Sequence, residues 1–502
     1  MVSDPRMVPA RFNMARYCLD GHPGDKIGLI LAGDHADEVW RFGALKDAAL
    51  RVARGLLDAG LRSGDRLMIR MDNDVAYALT YFGAIAAGVV ALPSSSQLTA
   101  TEAGFLLSDC GARAVAVGAG MDDLAVPEGV FIIPAAAIRD WAANGPLGDF
   151  ADTAADDPAF LVYTSGTTGK PKGVLHAQRS AWGRRPMYQG WYGISGDDRV
   201  LHAGAFNWTY TLGVGLTDPW ANGATACLYN GPRDPAVWPR LIERFKATIF
   251  ATVPGLYRQI LKYGDIAGHD LSSLRHGLTA GESLPAPILE QWRDATGTEL
   301  YEALGMSEIS TYISQCPPGP ARARSPGRPQ PGRRVAILDP ETWEPLPDGE
   351  IGLLAVHRAD PGLMLGYWNR PEEEAEVLRG EWFAGGDLAH LDGEGYLWFH
   401  GRNNDLMNAG GYRVSPLEVE AALASHPMVA DVAVAERQVS ETVSIICAYV
   451  VPREGVAFDK GALLAHAEPR LAAYKRPKEV ILVDVLPRTA NGKVMRRALA
   501  KL

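Results

Sequence analysis

The sequence predicts an α/β protein: a large N-terminal domain of two doubly wound sheets plus a small β subdomain, followed by a small α+β C-terminal domain. Three observations predict it. Helical and strand patterns alternate from residue 44 to 140 and resume at 157 and 246, the rhythm of a parallel sheet. After "PGRPQPGRR" (326–334) short strands joined by Gly/Asp turns replace that rhythm. After "HGRNNDLMNAGGYRVS" a new mixture of helix and strand begins, which puts a boundary at 402–405 and divides the chain into 1–403 and 404–502. A chain of 502 residues is also too long for one core.

In order, "ALKDAALRVARGLLDAG" (44–60) carries apolar residues at helical spacing and ends in Gly. "DRLMIRM" reads as a strand, "DVAYALTYFGAIAAG" as a helix and "VVALPSS" as a strand. The longest apolar run, 81–92, is too short to cross a bilayer and reads as a helix running into a buried strand. "DPAFLVYT" restarts the pattern, and "KATIFATVPGLYRQILK" (246–262) repeats it. "VAILD", "GEIGLLAVH" and "GYLWFHGR" are the short strands of the subdomain. In the last domain "PLEVEAALASH" and "KGALLAHAEPRLAAY" are helical, and "VADVAVAE" and "VSIICAYVV" are strands. "DGEGY" (392–396) has acidic residues but lacks the twelve-residue calcium-loop pattern, and reads as a hairpin turn.

Composition narrows the class. Hydrophobic content of 47% and charged content of 22% suit a globular enzyme, and a net charge of −10 excludes a general nucleic-acid binder. Five scattered cysteines without a CxxC argue for reduced thiols and against a zinc site. The N-terminal residues lack the apolar core of a signal peptide, so a cytoplasmic location is expected. Residues 470–502 hold nine Lys/Arg against two Asp/Glu, which reads either as a solvated basic tail or as a face that closes over a polyanion.

The chemistry starts at "LVYTSGTTGKPKGVLH" (161–176). An apolar strand delivers a segment rich in Gly, hydroxyls and Lys, and a helix is expected to follow. Glycines let backbone N–H groups approach an anion, while hydroxyls and lysines add donors and charge. The segment is not a Walker A loop, because Gly169-Lys170 is followed by Pro171. A linker reading fits poorly behind a five-residue apolar strand.

"YTSGTTGKPKG" resembles the phosphate-loop signature of the adenylate-forming superfamily, which holds acyl-CoA synthetases, peptide-synthetase adenylation domains and firefly-type luciferases. Its companions occur in order. "AGESLP" (280–285) resembles the adenine-contacting segment and "ALGMSE" (303–308) the YGxTE motif. "WFAGGDLAHLDGEGYLWFHGR" (382–402) resembles the ribose and hinge segment. "NAGGYRVSPLEVE" resembles the opening of a mobile C-terminal domain, and "PRTANGKVMRR" (487–497) the closing lysine motif. Together they run from residue 163 to 497.

The resemblance implies a reaction and its residues. A carboxylate attacks the α-phosphorus of ATP, pyrophosphate leaves, and a thiol displaces AMP from the acyl-adenylate. Thr164, Ser165, Gly166, Thr167, Thr168 and Lys172 would hold the β- and γ-phosphates; Gly281, Glu282 and Ser283 would meet the adenine. Ser307 would contact the α-phosphate and Glu308 would hold Mg²⁺, which needs few protein oxygens beside phosphate oxygens. Asp387 would accept both ribose hydroxyls, with Arg402 beside it. Lys493, alone a surface lysine, would bridge carboxylate and α-phosphate as they approach. Asn404 stands at the hinge, where the family usually has Asp or Lys; Asn tolerates unusual backbone angles. Gly411 would line the pantetheine tunnel and Arg413 a phosphate of coenzyme A.

For the acid, residues 205–225 occupy the acyl-pocket position. "YTLGVGLTDP" is similar to benzoate-CoA ligases, and the Trp and "DPWANGA" to medium-chain acyl-CoA synthetases. Trp208, Tyr210, Thr211, Gly305 and Thr311 are the pocket candidates; each but Gly305 reads equally as core packing. Thr311 stands where benzoate-type enzymes carry His. Gly305 stands where acetate-specific members carry Trp, which implies a deeper pocket. The expected activity is an AMP-forming carboxylate-CoA ligase for an aromatic, alicyclic or short-to-medium aliphatic acid, with ATP, Mg²⁺ and coenzyme A. The alternative loads a carrier-protein phosphopantetheine; a phosphotransferase releasing ADP and a non-catalytic nucleotide binder are more distant. Expected partners are the acid, ATP and CoA, without nucleic acid or membrane, together with a homodimer mate and a lysine acetyltransferase acting on Lys493, since "PRTANGK" matches the context in which related synthetases are acetylated.

Overall fold

The computed structural model of the chain describes residues 7–165, 171–232, 234–403, 407–409, 412–440, 443–488 and 494–499. It divides into two compact units, Met1–Val335 with Val356–Phe383 and Ala336–Ala355 with Ala384–Leu502. The first unit contains two sheets. Seven strands form one, in the order Gly366–Tyr367, Pro171–Ala177, Pro158–Ser165, Val90–Ser94, Arg66–Arg70, Ala114–Val117, Phe131–Pro134. The last five are mutually parallel, as the alternating pattern predicts, and the first two attach antiparallel.

Helix Val75–Ala86 starts where the Asp74 carboxylate accepts the Ala76 N–H, and it is buried on every side. An apolar helix without a polar stripe has to sit inside a core. It packs with helix Phe42–Asp58, then passes through Gly88 in a left-handed turn (φ 75°) to the buried strand Val90–Ser94. The apolar run 81–92 is therefore helix, turn and strand, as read.

One expectation is overturned. No helix follows the glycine-rich segment; Pro171–Ala177 is a strand paired antiparallel with Pro158–Ser165, and helix begins only at Ser180. The pairing brings Leu161 and Leu175 into one cluster with Met68 and Leu92. Burial of that kind outweighs local propensity.

The nine-stranded sheet runs Arg328–Pro329, Ser310–Ser314, Glu299–Met306, His276–Ala280, Ile249–Thr252, Arg199–His202, Thr225–Leu228, Ile27–Leu31, Glu38–Arg41. Its interior is parallel; both ends turn antiparallel. Strand Ile249–Thr252 and helix Pro254–Tyr263 realise the pattern seen at 246–262.

Strands Val335–Leu338, Gly352–His357, Trp382–Leu391 and Leu397–Arg402, most of whose residues fall in the second unit, belong to a small sheet. Asp392 accepts the N–H groups of Glu394 and Tyr396, the hairpin turn expected of "DGEGY". Helix Pro416–Ala424 and helix Lys460–Ala467 enclose a core with the three-stranded sheet Val429–Ser440, Val443–Pro452, Glu479–Leu482. The second helix ends before the predicted stretch does, because Pro469 has no N–H with which to continue the helical ladder. Among the described residues no helix is long and apolar enough to cross a membrane.

Candidate active site

Strand Pro158–Ser165 holds the start of the glycine-rich segment rigidly, with Thr164 opposite Lys172. Gly166, Thr167 and Thr168 lie outside the described residues, as does the side chain of Ser165. Lys172 is half-buried. Its Nζ sits 3.7 Å from the ring centroid of Tyr367 and 3.9 Å from Glu373 Oε2. The Tyr367 hydroxyl donates to Glu308 Oε1 at 2.7 Å. One aromatic ring thus faces the cation on its π surface and meets the carboxylate at its O–H. Strand Gly366–Tyr367 supplies that ring by pairing with Val174 and Leu175. The Glu308 carbonyl accepts the Met364 N–H, which fixes its backbone.

Ser307 is held from the other side. Its carbonyl lies 2.8 Å from His176 Nε2, so Nε2 carries the proton. The ring stacks on Phe160 at 4.6 Å and 14°. Burial pushes His176 down to about 4, more than the bond to Ser307 raises it, and the imidazole is neutral. Ser307, His176, Ser310, Thr209, Gly213 and Arg184 line one small cavity of about 20 Å³. The serine expected at the α-phosphate and the segment expected at the acyl pocket therefore face the same space.

The segment 280–285 passes through Gly281 at φ 93°. Beneath it lies Glu302, which sequence reasoning missed. Glu302 is 5% exposed, sits opposite Thr279 and bonds the Leu284 backbone. Burial pushes its carboxyl up to about 8, so it is an uncharged acid at neutral pH. An acidic residue between Leu300 and Leu304 on a central strand was the available signal.

The loop 204–206 is clamped by Asn73, whose Nδ2 donates to the Gly204 carbonyl and whose Oδ1 accepts the Phe206 N–H. Trp208 then leads into helix Thr209–Leu212. Tyr210 stacks on Trp191 and meets His202 edge-on, while its hydroxyl reaches the carbonyls of Thr252 and Leu278. Thr211 is buried. Gly305 and Thr311 face each other across the antiparallel pair, and the Thr311 hydroxyl donates to the Met187 sulfur. A Cβ on Gly305 would lie 2.3 Å from the Ser310 carbonyl oxygen and 2.6 Å from Thr311 Cα. Only glycine fits the close backbone approach there.

A second group was not anticipated. Arg184 grips the fully buried Asp218 with two bonds of 2.7 and 2.6 Å, Tyr192 donates to the same carboxylate, and Arg184 also reaches Ser310. Burial opposes the guanidinium charge, and Asp218 more than offsets it, so the pKa of Arg184 is raised. The aspartate inside the apolar run "GLTDPWA" was the signal that a buried cation had to exist.

The second unit carries Asp387 and Arg402 on paired strands, in register, with Arg402 Nε 3.3 Å from Asp387 Oδ1. Asp387 is buried. Asn404, Gly411 and Lys493 lie outside the described residues; Arg413 is placed on strand Tyr412–Val414 by its backbone alone.

A family model described as AMP-binding enzyme matches residues 18–368, and one described as AMP-binding enzyme C-terminal domain matches residues 418–493. The chain is 31% identical to the benzoate–CoA ligase of Thauera aromatica, over 97% of this chain and 96% of that one. It is 31% identical to the mitochondrial acyl-coenzyme A synthetase ACSM5 of Homo sapiens, over 98% of this chain and 91% of that one. The crystal structure of the anthranilate CoA ligase AuaEII in complex with anthranoyl-AMP superposes with a TM-score of 0.88 at 29% identity, covering 98% of both chains.

Proposed function

The chain belongs to the AMP-binding enzyme family, and from that premise we propose that it is an ATP-dependent acyl-CoA ligase that forms an acyl-adenylate and passes the acyl group to coenzyme A. The acid is aromatic, alicyclic or short-to-medium aliphatic. The observation that carries the reading is the convergence of Lys172 and Glu308 on one tyrosine, Tyr367, beside the strand that presents the glycine-rich segment.

In the first step a carboxylate oxygen bonds to the α-phosphorus and the bond to the bridging oxygen of pyrophosphate breaks. Lys172 and Thr164 would hold the departing phosphates, with Ser165, Gly166, Thr167 and Thr168 as the rest of that cradle. Tyr367 keeps Lys172 and Glu308 in place before ATP arrives, so little reorganisation is needed. Glu308 suits Mg²⁺, a hard cation that takes one carboxylate and fills its sphere with phosphate and water oxygens; bound there, the ion would screen the phosphate charges. His176 orients Ser307 through its carbonyl. Asp387 and Arg402 would take the ribose, and Lys493 would bridge the reacting groups. In the second step the thiol sulfur bonds to the acyl carbon and AMP leaves with the mixed-anhydride oxygen.

We assign 1–403 to adenylation and 404–502 to a C-terminal domain that turns at Asn404 between the steps, with Gly411 and Arg413 on the CoA path. The acyl pocket is assigned to Trp208, Tyr210, Thr211, Gly305 and Thr311. Arg184 faces this region already neutralised by Asp218, which suits an uncharged acyl tail. Acetylation of Lys493 would stop adenylation and spare thioester formation; a cell-derived sample with Lys493 never modified would count against it. A cytoplasmic location and a homodimer complete the reading, checked by fractionation and by light scattering.

The decisive assay gives the protein ATP, Mg²⁺, CoA and a panel of carboxylic acids. AMP, pyrophosphate and CoA loss are expected. AMP without CoA loss would move the acyl acceptor to a carrier protein, and ADP would overturn the assignment.

A further inference from the structure

The imidazole of His202 stands at the end of strand Arg199–His202, beside residues assigned above to the acyl pocket. Its Nδ1 accepts the Gly204 N–H at 2.8 Å, so the proton of the neutral ring is on Nε2. Burial holds the ring neutral, with a pKa pushed down to about 3. Nε2 is buried and has no hydrogen-bond partner among the described residues. A buried N–H donor left this way is an anomaly that asks for an acceptor. The ring lies 4.6 Å from Tyr210, tilted at 74°. The Cβ position of Gly204 is 2.3 Å from Thr211 Oγ1 and 2.8 Å from His202 Cε1, so the threonine hydroxyl and the imidazole edge close on the same point. Asn73 fixes the loop between them.

We propose that His202 Nε2–H donates a hydrogen bond to a neutral oxygen on the acyl tail, which makes the substrate class hydroxy- or oxo-substituted carboxylic acids. The inference rests on the ligase reading above. The ring offers a donor and no charge, so an oxygen acceptor is favoured over an amine or a second carboxylate. The neighbouring Arg184 does not change this, because Asp218 already pairs with it.

The test uses the full-length protein, ATP, Mg²⁺ and CoA with matched acids: benzoate against meta-hydroxybenzoate, cyclohexanecarboxylate against its oxo derivative, and hexanoate against an oxohexanoate. For at least one pair the wild type is expected to favour the oxygenated acid in kcat/KM by about tenfold or more. His202→Asn keeps an acceptor for the Gly204 N–H and removes the distal donor; the preference should fall to about one in that variant. His202→Gln returns a donor near the Nε2 position and should restore part of it. Equal wild-type rates on both members of every pair would overturn the proposal while leaving the ligase intact, as would a preference that survives His202→Asn. The wild-type ratio stands as a test even if a variant does not fold. Failure of every acid to yield AMP and consume CoA would instead sink the ligase reading itself.

Discussion

At the scale of single residues, the site depends on how each charge is met before substrate binds. Tyr367 touches both Lys172 and Glu308. Tyr367→Phe keeps the ring under the lysine and deletes the bond to the carboxylate. A hydrogen bond to a charged group is worth about 1.5–3 kcal/mol, so kcat should drop roughly tenfold to a hundredfold with the fold intact; an unchanged kcat in steady-state assays would remove Tyr367 from the machinery. Glu302 makes a different prediction. Its carboxyl moves from an ordinary 4.5 up to about 8 on folding. The folded state therefore binds the extra proton, and the stability this group contributes is full below pH 4.5 and lost as pH rises through 8. Glu302→Gln cannot titrate. By urea unfolding, the variant should lose less stability than the wild type between those pH values, a gap on the order of 2–4 kcal/mol at the alkaline end. Parallel curves would show the carboxyl is not buried in its charged form. Neither residue was picked from the sequence: Tyr367 lies outside the quoted motifs, and Glu302 becomes unusual only when its strand is seen to be central.

Secondary elements explain what was legible and what was not. Helices and parallel strands of the N-terminal half followed from periodicity, because burial on one or both faces writes itself into residue spacing. The strand after the glycine-rich segment did not, since its pairing with Pro158–Ser165 is a tertiary choice that short apolar runs do not announce. Gly305 and Thr311 sit on the strand pair Glu299–Met306 and Ser310–Ser314, with Ser307 and Glu308 in the turn between them, yet the reason for glycine at 305 is geometric. Backbone atoms of Ser310 and Thr311 occupy the space a side chain would need. Gly305→Ala should destabilise the protein by about 1–3 kcal/mol or more and lower kcat as well, because Ser307 and Glu308 follow directly along the chain. Thermal unfolding and kinetics on purified variant check both; a neutral Gly305→Ala would mean the strand pair yields easily. The Arg184–Asp218 pair was illegible for another reason: two distant residues become partners only through the fold.

For the molecule as a whole, the buried rings of His176, His202 and His276 shape its behaviour in acid. Burial pushes His176 and His276 down to about 4 and His202 to about 3, from an ordinary 6.5. The unfolded chain takes up protons that the folded chain refuses, so the stability these groups contribute is full above pH 6.5 and lost as pH falls toward 4. Near pH 5 unfolding should take up about three protons at these rings and release most of the one held by Glu302, a net uptake of about two. The slope of unfolding free energy against pH measures that number directly; a slope equal to one proton or fewer would mean the rings are solvated. One clamp reaches across this architecture. Asn73 follows a strand of the seven-stranded sheet, and it holds the loop that leaves a strand of the nine-stranded one. The loop proposed to line the acyl pocket is thus not a detachable cassette. Anyone transplanting residues 203–213 from a relative to change substrate choice would have to move position 73 with them, and a library that varies the loop alone should return mostly inactive chimeras.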